Sequence, residues 1–210
     1  MPPIDLATPP SLRASFAFPL QSPLARREVL WGAALLLLLP GLGWLLNMGH
    51  RIHMVHRMQQ GLPAWPAWTG YGALLRHGLV TFVGMVCWHA PGGALLALAA
   101  LTPWRWLAVP GALLWAAGTI AVPGFMTHYC VRFDVGEVFA PRRTLRRIRE
   151  VGPAYWRAWG VALAALALSL VGLLGLGVLF FVTSVWFWQV AGFGFATVFS
   201  ARYGLRAADA

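Results

Sequence analysis

Lysine is absent and acidic residues are nearly so: all 16 basic residues are arginine, and only six Asp or Glu occur in 210 residues. Charged types make up 10% of the chain against 59% apolar, whereas a soluble domain carries about 25% charged residues. So few charges cannot coat a globule of this size, which excludes an ordinary soluble domain and leaves lipid as the solvent. A formal charge of +10 and a pI of about 11.4 would suggest a nucleic-acid partner. The shortage of wettable surface argues against one, and no nucleic acid is expected. Cysteine is scarce too. Cys87 and Cys130 form no CxxC pair and fall at different depths in the topology below, so they are expected to be small fillers rather than a disulfide.

Reactive constellations are also missing. There is no G-x-S-x-G, H-E-x-x-H or phosphate-binding Gly-Lys-Ser/Thr loop. Asp5, Asp209 and Glu28 lie in arms or at an edge, and Asp134, Glu137 and Glu150 lie in an arginine-rich segment. No pair of carboxylates sits in an apolar run, which weakens proton-coupled transport. Ser169, Thr183 and Ser184 sit in apolar runs, where a hydroxyl usually bonds its own helix carbonyl. No catalytic residue, metal ligand set or cofactor is expected.

What the chain does have is apolar length. Residues 1–23 hold six prolines and read as an extended arm lying on the surface through Phe16, Phe18 and Leu20. Residues 24–204 read as a single transmembrane domain, and 205–210 as a tail. Arg26-Arg27 before an apolar run resembles an export signal, but no cleavage site follows. Residues 29–49 would make a helix about 31 Å long, enough to cross a bilayer. Pro40-Gly41 interrupts it midway, so it spans with a kink or dips in and returns. Trp65, Trp68 and Tyr71 suit the headgroup zone, and Thr69 is placed to cap a following helix. Four further spans fall at about 79–101, 106–128, 155–175 and 178–202, paired into antiparallel hairpins by the short links TPWR and GLG. The expected class is all-α: a polytopic helical bundle with interfacial amphipathic helices.

Between the hairpins, residues 132–153 are the most polar segment. Asp134 and Glu137 have capping-box spacing. Val138, Leu145, Ile148 and Val151 can share one helix face, leaving Arg142, Arg143, Arg146, Arg147 and Arg149 for anionic lipid. Arginine bookkeeping then orients the chain. With residue 76 in the cytoplasm and 29–49 re-entrant, 15 of the 16 arginines lie inside or at the inner edge, and only Arg105 lies outside. A spanning 29–49 changes the split to 12 and 4. The positive-inside bias favours re-entry and a cytoplasmic C-terminus. On this topology HRIHMVHR, residues 50–57, meets the cytoplasmic headgroups, with Arg51 and Arg57 on phosphate. His50, His53 and His56 can share a helix side, but no acidic residue or cysteine lies nearby to complete a metal site.

Two patterns inside the spans invite a use. His89 and Gln189 lie at similar depth, and each needs a partner in lipid, either the other or a nearby carbonyl. Ala158, Ala162, Ala165, Ser169 and Gly172 form a small-residue stripe, as do Gly192, Ala196 and Ser200. Such stripes let backbones approach, here run four against run five or one copy of the chain against another.

The order of these features resembles a known family. FPLQSP, an apolar run with Pro-Gly, GHRIHMVHRMQQGLPAWPAW, FDVGEVFA and GPAYWRAW follow one another in residues 18–204. This looks like the prokaryotic membrane-protein family named domain of unknown function 4013. That family carries a Gly-Tyr, then a basic stretch and Gly-x-Leu-Pro-x-Trp. Here His50 replaces the aromatic, and Gly61, Leu62, Pro63 and Trp65 fit with a spacer one residue shorter. The resemblance implies a multi-span protein of a prokaryotic cytoplasmic membrane and carries over no catalytic residue.

The functional expectation is a non-enzymatic scaffold, assembly factor or accessory subunit that organises lipid, a membrane-protein partner or a second copy. The alternative is a small transporter or channel built on helices broken near Pro40 and Pro91, for which a continuous polar cavity would speak. A lipid-acting enzyme is the third reading and lacks interfacial reactive groups.

Overall fold

The computed structural model describes residues 11–175 and 177–205. The first ten residues with Asp5, and the tail from Arg206 with Asp209, lie outside the described residues. Within them the chain is all-α, with no strand: α1 Leu12–Ala17, α2 Pro23–Leu38, α3 Pro40–Gln59, α4 Tyr71–Leu101, α5 Ala108–Arg132, α6 Pro141–Val151, α7 Pro153–Val171 and α8 Val178–Tyr203.

Four segments, Tyr71–Leu101, Arg105–Arg132, Pro153–Leu174 and Val178–Tyr203, are long and apolar enough to cross a membrane. Even the shortest is about 33 Å as a helix, against a hydrocarbon core of about 30 Å. Leu101, Trp106, Val109, Leu113 and Leu163 remain exposed on these helices. That makes sense when the surrounding solvent is acyl chain, and the chain is a membrane protein. α4 pairs with α5 and α7 with α8, as the short links require. Pro91 and Pro123 do not break their helices: α4 and α5 run through them.

The break comes instead at Leu39, whose φ of −134° and ψ of 67° end α2. Pro40 then occupies the first turn of α3, where its missing N–H costs nothing. The two helices fold back on each other. Asn47 Nδ2 donates to Gly32 O at 3.0 Å and Gly43 O at 2.8 Å, and His50 Nε2 lies 2.9 Å from Glu28 Oε2. Residues 28 and 50, or 32 and 47, are nearly equidistant from Leu39, the signature of a helical hairpin. Segment 29–49 is therefore a fold-back and not one kinked helix. The hairpin also returns Arg26 and Arg27 to the end that carries Arg57.

α3 crosses α4 with almost no side chain between them. A Cβ on Gly49 would lie 1.8 Å from Leu74 O, and one on Gly78 would lie 1.9 Å from Leu45 O. Only glycine permits this approach.

The N-terminal arm departs from its expected extended form. Ser11 accepts from Ala14 N–H at 3.1 Å and starts α1, and Ser22 accepts from Ala25 N–H at 3.0 Å to start α2 with Pro23 at its first position. Phe18 is buried and stacks on Phe193 with centroids 4.4 Å apart, while Phe16 packs edge-on against Trp186. Only Leu20 of the three stays exposed. Thr69 does not cap α4; Gly70, at φ 65°, takes that place without a side-chain bond.

Replacing Gly49 or Gly78 by valine is expected to destabilise the purified protein by at least the 1–3 kcal/mol typical of overpacking. Gly160→Ala faces open space and is expected to be neutral. Thermal unfolding in detergent compares the three.

Candidate functional site

Two regions concentrate the charge that an apolar chain can least hide: a rim around α6, and a cleft that contains Arg51.

The rim is built from the inside outward. Val138 is fully buried and nearly touches the backbone of α4, where a Cβ on Gly84 would lie 2.2 Å from its Cγ1. Trp88 Nε1 donates to Val138 O at 2.9 Å. This plug fixes where α6 starts. Thr144 and Ile148 then pack on α5 at Gly124. The buried stripe thus runs through Thr144 and Ile148, and Leu145, expected to join it, is exposed. The capping box is absent as well. Asp134 accepts from Gly136 N–H at 2.8 Å, while Glu137 turns to the arginines, 2.9 Å from Arg143 and 2.5 Å from Arg147. Arg147 is therefore largely buried in an ion pair and does not face lipid. Arg142, Arg143, Arg146 and Arg149 are exposed, as expected. The Arg146–Glu150 contact at 3.6 Å is a solvated i,i+4 pair, worth only about 0.3–0.5 kcal/mol.

Partial burial penalises the Glu137 carboxylate, but the Arg147 hydrogen bond and the charges of Arg147 and Arg143 outweigh that and hold its pKa below the usual value.

The stretch HRIHMVHR is folded inward. His50 is buried between Trp65 and Trp68, with the Trp68 centroid at 4.1 Å, and pairs with Glu28. Glu28 Oε2 also accepts from Ala67 N–H at 3.0 Å, and Trp68 Nε1 donates to Glu28 O at 3.0 Å. Glu28, placed at an edge by sequence, is thus a buried staple between the hairpin and the loop before α4. Trp65, expected at headgroups, is buried with it. His53 bonds Ala67 O and His56 bonds Cys130 O, so the three histidines serve three different partners. Arg57 donates from Nε to Pro63 O at 2.8 Å and braces the same loop.

Arg51 is the clearest correction. It was expected on phosphate at the membrane surface, yet it is 7% exposed. One terminal nitrogen donates to Met126 Sδ at 3.0 Å, and the guanidinium lies 4.6 Å from the centroid of Trp188. Among the described residues no carboxylate pairs with it. Arg51 contributes to a cleft of about 370 Å³ between the α4–α5 and α7–α8 hairpins, with α3 as its floor. The walls are Met85, Val122, Leu166, Phe187 and Phe195 among others, and His89 and Thr119 are polar points along them.

His89 and Gln189 do not meet. His89 bonds Met85 O at 2.7 Å through Nδ1 and Thr119 Oγ1 at 3.0 Å through Nε2. Gln189 is buried with no partner for its amide among the described residues. The small-residue stripes divide too. Ala158, Ala162, Ala165 and Ser169 are buried along α7, and Gly172, just past its end, is buried against Phe180 and Thr183 of α8. Gly192 instead faces Arg51 and Met54 of α3, and Ala196 joins the same central core, so the stripe with Ser200 does not form the α7 seam. Thr183 bonds Leu179 O of its own helix, whereas the buried Ser169 hydroxyl makes no such bond.

Fold and site together define a multi-span helical membrane protein with a basic rim and a charged apolar cleft. No protein-family model, curated protein or solved structure matches the chain.

Because the folded pKa of Glu137 is depressed, its contribution to docking α6 is complete above the unfolded carboxylate value of about 4.3. It declines as the pH falls from there through the folded value. An environment-sensitive label on α6 is expected to report a stable helix down to about pH 4.3 and release below it, with Glu137→Gln already loosened at neutral pH.

Proposed function

We propose that this protein is a non-enzymatic component of a prokaryotic cytoplasmic membrane, an accessory or scaffold protein that organises anionic lipid and a membrane partner at its cytoplasmic rim. The observation that carries this reading is the posture of α6. Its buried stripe is fastened to α5, its entry is plugged by Val138, and four guanidinium groups stand outward on one rigid face. A fixed basic face at the end of the spans complements the negative surface of a cytoplasmic leaflet, each arginine adding about 1 kcal/mol near such a surface. The hairpin supports the same sidedness, since it puts Arg26 and Arg27 at the end occupied by Arg57.

The chemistry elsewhere points the same way. Several polar side chains within the helices serve structural bonds, such as His128 to Gly124 O and Thr81 to His77 O. The cleft walls are overwhelmingly apolar, which suits a packed component better than a water-filled conduit, and α4 stays unbroken at Pro91. The motif resemblance to the family named domain of unknown function 4013 supports the prokaryotic membrane setting.

Purification in mild detergent tests the proposal, with the recovered lipid and protein compared between the native chain and a quadruple Arg→Gln variant at 142, 143, 146 and 149. The native chain is expected to retain anionic phospholipid or a reproducible partner, and the variant to lose most of it. Equal recovery by both would contradict the proposal.

A further inference from the structure

The geometry points to a second ligand site, distinct from the rim: we infer that the Arg51 cleft binds a single-chain amphiphile with an anionic oxygen headgroup. The headgroup would meet the guanidinium, and the chain would lie along the apolar walls. This does not depend on the scaffold reading of α6.

The first observation is an uncompensated charge. An arginine within a membrane domain is costly even on the most lenient scale. Such residues normally pair or mark a ligand path. Arg51 has five N–H donors. The contacts it makes are one bond to a thioether sulfur, a weak acceptor, and the face of Trp188. The Trp188 face offsets part of the cost of burial, but it accepts none of the forked N–H groups that match a carboxylate or phosphate. An oxyanion is the chemistry that completes this site.

The second observation is the shape of the space in front of that charge. The cleft holds about 370 Å³, within the range of small-molecule pockets. Its walls are apolar and Arg51 stands at one end of it, so an apolar chain that ends in an anion matches the lining.

The third observation is orientation. Arg51 is level with Met126, six residues before the rim end of α5, or about 9 Å along it. Thr119, at the far part of the cleft, is seven residues further in, about another 10 Å. The charge thus lies near the arginine-rimmed face, and the apolar space extends from it toward the bilayer middle. An amphiphile in that leaflet has the same polarity.

Binding of hexadecanoate, hexadecyl phosphate and hexadecanol to the full chain in neutral detergent tests the inference, with acetate and inorganic phosphate as chainless controls. Both anionic amphiphiles are expected to bind at least ten-fold more tightly than the alcohol. The tighter of the two identifies the headgroup, and the chainless anions are expected to bind negligibly. Arg51→Met is expected to abolish the preference for the anions, and Arg51→Lys to retain part of it. Should Arg51→Met fail to fold, Ala191→Trp narrows the cleft while keeping the arginine and is expected to weaken all three amphiphiles together. Equal affinity of the native chain for acid and alcohol, or a preference that survives Arg51→Met, would overturn the inference. So would a co-purifying membrane protein lost only in Arg51→Met while acid and alcohol bind alike.

Discussion

A helical hairpin packed among apolar helices has to lock its two arms from within, because little water reaches a loose backbone or an unpaired side chain there. The α2–α3 hairpin meets that requirement with two polar contacts between its arms, Asn47 to the Gly32 carbonyl and His50 to Glu28, while Asn47 also bonds Gly43 O of its own helix. Much else rests on this closure. Glu28 also receives Ala67 N–H, so the hairpin anchors the loop that delivers α4. The fixed hairpin brings α3 against α4 at Gly49 and Gly78, close enough for backbone to touch backbone. It also makes α3 the floor between the two transmembrane hairpins, which is how Arg51 comes to be inside the protein and not on its surface.

Two kinds of arginine follow from that arrangement. Those on α6 are at the end of the spans, where Arg142, Arg143, Arg146 and Arg149 stay exposed and Glu137 anchors the helix through Arg143 and the largely buried Arg147. Arg51 has been carried past that level by the rigid hairpin and has no carboxylate to meet. The same residue type thus supports a surface function at the rim and a ligand site in the cleft. What separates them is access to water and to a counter-charge.

The architecture was largely legible from the residues because composition left one solvent and the apolar runs had the length of a bilayer. Pro40-Gly41 marked the turn at which α2 ends and α3 begins. The details were harder where a residue's local context misleads. HRIHMVHR reads as interfacial because it ends an apolar run, yet in a hairpin that stretch packs against residues the same distance before the break. Pairing positions about Leu39 brings Glu28 to His50, and this was the available signal. The burial of Arg51 had none, since it depends on how α3 inserts between helices distant in sequence. Pro91 misled in the other direction, because a membrane helix can continue through proline. The stripe at Gly192 and Ala196 was recognisable as a packing surface, but spacing alone does not name the helix it meets.

Sidedness of the hairpin tests this account most directly. In a chain with Cys87 and Cys130 replaced, single cysteines at Leu24, Arg146 and Trp104 are labelled with a membrane-impermeant maleimide in right-side-out and inverted vesicles. The account expects positions 24 and 146 to react from one face and position 104 from the other. Reaction of position 24 from the same face as position 104 would mean that the first apolar segment crosses the membrane, and would contradict it.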